Sequence, residues 1–119
     1  MPHLDVKYRS DVLQESDLES IADTLLGIVG KHFQENPDYV SLEIVPQHAV
    51  VRNRKHVDLE LDSSPDPEGL RAEAAKALSD ELAETVAAHL TDRGYNNLEV
   101  SAWVRIFDAG VYRYHRMGG

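Results

Sequence analysis

Chemistry in this chain starts at its second residue. Met1 precedes Pro2, and an initiator methionine followed by so small a residue is normally trimmed by an aminopeptidase. The chain would then begin with a proline bearing a free secondary amine. An internal proline nitrogen is an amide and takes no proton, whereas a terminal one is a base. An α-amino group titrates near ~8 when unperturbed. Desolvation or nearby cations lower an amine pKa toward neutrality, which suits a general base working at pH 7.

A strand must hold that residue in place. Leu4, Val6 and Tyr8 alternate with His3, Asp5 and Lys7, the two-residue period of a half-buried strand. A proline at the first position of a strand loses no ladder hydrogen bond. Pro2 is therefore expected on a sheet rather than on a free tail.

The rest of the chain supplies the packing. Ser16 and Glu19 fit a capping box, and Leu18, Ile21, Ala22, Leu25, Ile28, Val29 and Phe33 recur at helical spacing. One helix is expected from Ser16 to His32 or Phe33, with Gly27 and Gly30 allowing close packing on the sheet. Pro37 ends it, because a proline biases its predecessor away from helix. A second strand is expected over Tyr39–Val45, closed by Pro46. Ala49-Val50-Val51 reads as a short strand before the basic turn Arg52-Asn53-Arg54-Lys55, a solvated loop by composition.

The third strand, His56–Asp62, places Val57, Leu59 and Leu61 on one face. A long helix follows, capped by Ser64 or Asp66 with Pro67 in its first turn. Its apolar stripe is Leu70, Ala74, Ala77, Leu78, Leu82, Val86 and Leu90, and Gly94 marks its end. A fourth strand spans Leu98–Phe107, and Val111–His115 reads as a short strand in the tail. The order is β-α-β twice, over about 2–46 and 56–108, with a tail at 109–119. Each strand has one apolar and one polar face, so both helices should cover one side of a four-stranded mixed sheet in a single two-layer α/β (α+β) domain.

Composition narrows the function classes. The 119 residues carry 21 acidic and 12 basic side chains, a net charge of −9. That disfavours nucleic acid and anionic membrane as partners, because phosphate binding needs clustered Lys and Arg. No apolar run approaches the ~18 residues of a membrane helix, and the first strand leaves no room for a signal peptide. The absence of cysteine excludes disulfides and thiolate chemistry and fits a cytoplasmic setting. The six histidines show no H-x-x-x-H or H-x-H spacing, so no metal centre is expected. No hydrolase nucleophile elbow or phosphate-binding glycine loop appears.

Two folds share this element order. In the ferredoxin-like fold the two middle strands pair as a tight hairpin. In the tautomerase fold each β-α-β unit is parallel, and a longer link joins the two. The nine residues between Pro46 and His56 exceed an ordinary hairpin loop and favour the second.

With Pro2 opening the first strand, a doubled β-α-β pattern and this length, the sequence resembles the tautomerase superfamily. Pro37-Asp38-Tyr39-Val40 through Val45-Pro46 resembles the second strand of the macrophage migration inhibitory factor group. The opening Met-Pro-His-Leu and the aromatic, glycine-containing tail look closer still to a group of bacterial tautomerase-like proteins. The resemblance implies a homotrimer with sites at subunit interfaces, a small carboxylate-bearing substrate, and neither metal nor organic cofactor.

In that fold, the start of the second strand (Asp38, Tyr39) and the ends of the third and fourth (Asp62, Ser63, Arg105, Phe107) lie at the Pro2 end. Arg9 is about 23 Å along the strand at 3.3 Å per residue, so it would serve only a neighbouring subunit. The implied chemistry is keto–enol tautomerisation. Pro2 moves the proton as acid/base, Arg105 holds the carboxylate and Tyr39 donates to the enolate oxygen. Asp5, Asp38 and Asp62 would raise the Pro2 pKa, and Arg105 would offset them. The third strand ends Asp62-Ser63-Ser64, without the arginine pair of the decarboxylase-like members, and Arg9 comes earlier than the arginine of 4-oxalocrotonate tautomerase. The alternative is a non-catalytic oligomeric binding or regulatory module on this fold or the ferredoxin-like one. For Trp103 and Arg105, interface packing and ion pairing stand beside roles in a site.

Overall fold

A strand that is apolar on one face needs a partner on each edge and a layer above it. The computed structural model, which describes residues 2–47 and 55–107, supplies both. Strands β1 (His3–Arg9), β2 (Ser41–Gln47), β3 (Val57–Ser63) and β4 (Val100–Ile106) form one sheet in the order β2-β1-β3-β4. β1 and β2 are parallel, β1 and β3 antiparallel, and β3 and β4 parallel. β2 and β3 thus flank β1 on opposite sides, which excludes the middle hairpin of the ferredoxin-like arrangement.

Helices α1 (Glu15–Glu19), α2 (Ala22–Phe33) and α3 (Leu70–Asp92) make the crossovers that parallel pairs require. The alternation read from the sequence decides what they cover. Leu4, Val6, Tyr8, Val57, Leu59 and Leu61 are buried in one cluster with Leu25, Val29, Phe33, Leu78, Leu82, Val86 and Leu90. Each such side chain contributes about 1.5–3 kcal/mol by leaving water. Among the described residues, no helix is long and apolar enough to cross a membrane.

Several local expectations are corrected. The first helix is broken at Ser20–Ile21, where Ile21 leaves helical geometry (φ −114°, ψ 8°). The capping interaction involves Gln14 and Asp17 rather than Ser16 and Glu19, with the Gln14 N–H donating to Asp17 Oδ2 at 2.9 Å. Asp17 is buried because the far end of α3 closes over it. Arg93 Nε donates to Oδ1 at 2.7 Å and the Tyr95 hydroxyl to Oδ2 at 2.5 Å.

Pro37–Tyr39 form a 3-10 turn, so β2 starts at Ser41 rather than Tyr39. Pro46 does not close β2 but lies inside it, opposite Tyr8. The Ser41 N–H and the Gln47 carbonyl both point to the β1 side. By alternation Pro46 faces outward, and its missing donor removes no bond of this ladder.

The long helix begins at Leu70. Asp66 still serves its first turn, accepting from the Leu70 N–H at 3.0 Å and the Arg71 N–H at 2.9 Å. Ala77 is exposed rather than part of the buried stripe. The expected strands at Ala49–Val51 and Val111–His115, the turn residues Arg52–Arg54 and the tail 109–119 lie outside the described residues.

Gly30 is tied to the loop after α2, not to the sheet. A Cβ there would stand 2.7 Å from the Glu35 carbonyl oxygen and 3.1 Å from Pro37 Cγ, whereas one at Gly27 would meet nothing within 4 Å. Gly30→Ala is expected to destabilise the fold by about 1–3 kcal/mol through overpacking, while Gly27→Ala gains roughly 0.5–1 kcal/mol of helix propensity. Urea midpoints of the two variants measure the contrast.

Burial pushes the Asp17 carboxyl up, but hydrogen bonds from Tyr95, the Gln14 N–H and Arg93 outweigh it and hold the group below the ordinary aspartate range. Its contribution is then complete above the unfolded value of ~3.9 and is lost as pH falls through the lower folded value. Asp17→Asn is expected to weaken the fold at pH 7 by about 2 kcal/mol. The variant should also show a shallower loss of stability than wild type between pH 5 and pH 2.

Candidate functional site

Register places Pro2. The pairing of His3 with Ser41 and with Asp62 puts Pro2 between Val40 and Ser63, with Ile106 beyond Ser63. The Pro2 carbonyl accepts the Ser41 N–H at 3.0 Å. The alternating burial of β1 continues back through it, so Pro2 is buried on the helix side with Leu4 and Val6. Val40–Pro2–Ser63–Ile106 forms one row under the helices. The next row, Ser41–His3–Asp62–Arg105, belongs to the opposite face, which is uncovered among the described residues.

Arg71, in the first turn of α3, reaches the Pro2 row. Its Nη1 donates to Ser63 Oγ at 2.9 Å and to the Ser64 carbonyl at 3.1 Å. Its Nη2 lies 3.4 Å from Glu35 Oε2, and its guanidinium stacks 5.4 Å from the centre of the Phe33 ring. Sequence reasoning missed this cation. It falls among the polar positions of an amphipathic helix, and only the turn held by Asp66 aims it back at the end of β3.

Arg105 is at the expected end but on the other face. It makes a fork to Asp62, Nε to Oδ1 at 2.6 Å and Nη2 to Oδ2 at 3.2 Å, with Glu60 at 3.9 Å. The hydrogen bond to Asp62 and the surrounding carboxylates raise its pKa above the ordinary arginine value. Such a guanidinium binds a second carboxylate only by displacing the first.

Tyr39 and Asp38 stand where expected, directly before Val40. Tyr39 is 58% exposed, and the Asp38 N–H is fixed by Asn36 Oδ1 at 2.9 Å. Arg9 lies at the opposite end of β1 and is paired with Asp11 at 2.7 Å. Within one chain, then, Pro2, Tyr39, Asp38, Arg71 and Arg105 share one end of the sheet, and Arg9 does not.

The acids feared around Pro2 are largely engaged elsewhere. Asp62 holds Arg105, and Asp5 contacts His3 Nε2 at 2.8 Å, both on the uncovered face. On that same face Lys7 pairs with Glu60, and Ser101 Oγ donates to Asp58 Oδ1 at 2.8 Å. Trp103, opposite Glu60, is 59% exposed. The side of the sheet occupied by Pro2 carries the Arg71–Glu35 pair instead.

No family model matches the sequence, and no curated protein matches it. Solved structures do match over nearly the whole chain. A macrophage migration inhibitory factor-like protein from Entamoeba histolytica superposes with a TM-score of 0.61 at 16% identity, covering 96% of this chain and 95% of its own. A member of the cis-3-chloroacrylic acid dehalogenase family gives 0.69 at 15% identity, over 96% and 81% of the two chains. A wild-type fused 4-OT described as a symmetric trimer gives 0.60 at 15% identity, over 89% and 85%. With its doubled parallel β-α-β units joined antiparallel through β1 and β3, this chain has the tautomerase/MIF-like fold.

Proposed function

We propose that this protein is an acid–base enzyme of tautomerase type, a keto–enol isomerase acting on a small carboxylate-bearing substrate. The observation that carries the reading is Pro2 buried in the Val40–Pro2–Ser63–Ile106 row, whose Ser63 anchors the guanidinium of Arg71. After removal of Met1, Pro2 takes a proton from an enol hydroxyl or from carbon next to a carbonyl and returns it to another carbon. Arg71 keeps the amine neutral and offers its charge to the substrate carboxylate, and Tyr39 donates to the developing enolate oxygen.

The chain acts as a homotrimer, in the manner of the fused 4-OT trimer that it resembles in fold. Arg9 and Arg105 of a neighbouring subunit are then available to the same site, Arg105 by exchanging Asp62 for substrate. Asp38 flanks the entrance. The exposed Trp103 and the polar sheet face form the contact between subunits, and light scattering on a sizing column should give the mass of three chains.

Ketonisation of phenylenolpyruvate and 2-hydroxymuconate tests the chemistry, with intact mass confirming loss of Met1. Pro2→Ala is expected to lower kcat by 10²–10⁴-fold, the range of a positioned acid/base, with the fold unchanged by circular dichroism. Equal turnover in wild type and Pro2→Ala would remove Pro2 from the mechanism. No turnover in either, with Met1 absent, would favour the non-catalytic binding module.

Arg71→Leu separates the roles of the two cations. It is expected to raise KM at least tenfold and to shift the acid limb of the kcat/KM profile upward, because the amine loses its neighbouring positive charge. Arg105→Leu should raise KM with a smaller upward shift of that limb, from the carboxylate of Asp62 that it releases.

A further inference from the structure

On the uncovered face, one row away from Pro2, three metal-ligating side chains meet. His3 and Asp5 are two residues apart on β1 and point the same way. Glu43 is the β2 partner of Asp5, and Ser41 the β2 partner of His3. One ligand atom from each of His3, Asp5 and Glu43 lies within 4.8 Å of the others. Ligand atoms about 2.1 Å from a shared ion stand no more than about 4.2 Å apart, so a small rotation of the exposed Glu43 side chain completes the set.

Two further features bear on what would fill this position. His3 Nδ1 is held by Ser41 Oγ at 2.6 Å, which turns Nε2 toward Asp5 Oδ1 at 2.8 Å. A ring fixed through one nitrogen while the other faces carboxylates is how ligating histidines are oriented. The charges of this face also leave the position acidic. Lys7 is engaged by Glu60 and Arg105 by Asp62, so among the described residues His3 alone stands as a basic partner to Asp5, and Glu43 has no ion pair.

We propose that His3, Asp5 and Glu43 bind one divalent first-row transition-metal ion per chain. The donor set of one imidazole nitrogen and two carboxylates suits zinc, cobalt or manganese rather than calcium. Ser41 is the positioning residue behind His3. The ion ties β1 to β2 at the Pro2 end from the side opposite the helices. The proposal does not rest on the acid–base reading of Pro2, and a failure of either leaves the other standing.

Calorimetric titration of the full chain with Co2+, followed in parallel by its visible absorption, tests the site. One saturable site per chain is expected. Its affinity should fall at least tenfold in each of His3→Ala, Asp5→Asn and Glu43→Gln, and about tenfold in Ser41→Ala. His32→Gln, a histidine paired with Glu81 on the helical layer, should leave it unchanged. No saturable binding at millimolar Co2+ would overturn the proposal, as would binding indifferent to the three ligand variants. Weakening by His3→Ala alone would also overturn it, since a chelate of the terminal amine with the neighbouring imidazole needs neither Asp5 nor Glu43. Because this face also forms the proposed subunit contact, thermal melts and the sizing-column mass of each variant without metal check that fold and assembly are unchanged.

Discussion

The antiparallel pairing of β1 with β3 is the contact on which the rest depends. Each β-α-β unit alone is two strands and a helical cover, too small to bury both edges of its apolar face. Joining them through the two central strands closes a continuous core, with Leu4 beside Leu61 and Val6 beside Leu59. The same pairing inverts one unit relative to the other. The beginning of β1 is thereby set against the ends of β3 and β4, and residues more than a hundred positions apart share one end of the sheet.

That inversion also sorts the chemistry by row. Because side chains alternate across a strand, one step in register moves a residue to the opposite face. Pro2 and Ser63 fall under the helices, while His3, Asp62 and Arg105 fall on the open side. The two faces are built differently. The helix side offers one guanidinium seated on an aromatic ring and shared among a hydroxyl, a carbonyl and a carboxylate. The open side offers a lattice of carboxylates with Lys7 and Arg105 already claimed.

What the sequence disclosed was whatever depends on period. The alternation in Leu4-Val6-Tyr8 and in Val57-Leu59-Leu61 locates the core strands and their faces, and places Pro2 at a strand start. Long-range partners were hidden. The helix break at Ser20–Ile21 accompanies the binding of Asp17 to Arg93 and Tyr95, more than seventy residues away, and no local signal announces it. Arg105 was correctly assigned to the Pro2 end, yet its fork to Asp62 emerges only once β4 is in register with β3. Arg71 was invisible for a related reason, since a surface-helix arginine acquires a role only when the preceding turn aims it. His3 and Asp5 carried a readable i, i+2 signal on one strand face, but Glu43 joins them through the β1–β2 register alone.

Pro46 leaves a mark on the outer edge of the sheet. Edge strands present free donors and acceptors that another chain can zip onto. Along β2 the outward positions are Leu42, Ile44 and Pro46, and the last has no N–H to give. A foreign strand approaching this margin therefore finds its hydrogen-bond template cut short toward the Arg9 end and intact near Ser41. Among the described residues, that border is guarded against indiscriminate sheet extension over one half, and the half still able to accept a strand is the one beside Pro2.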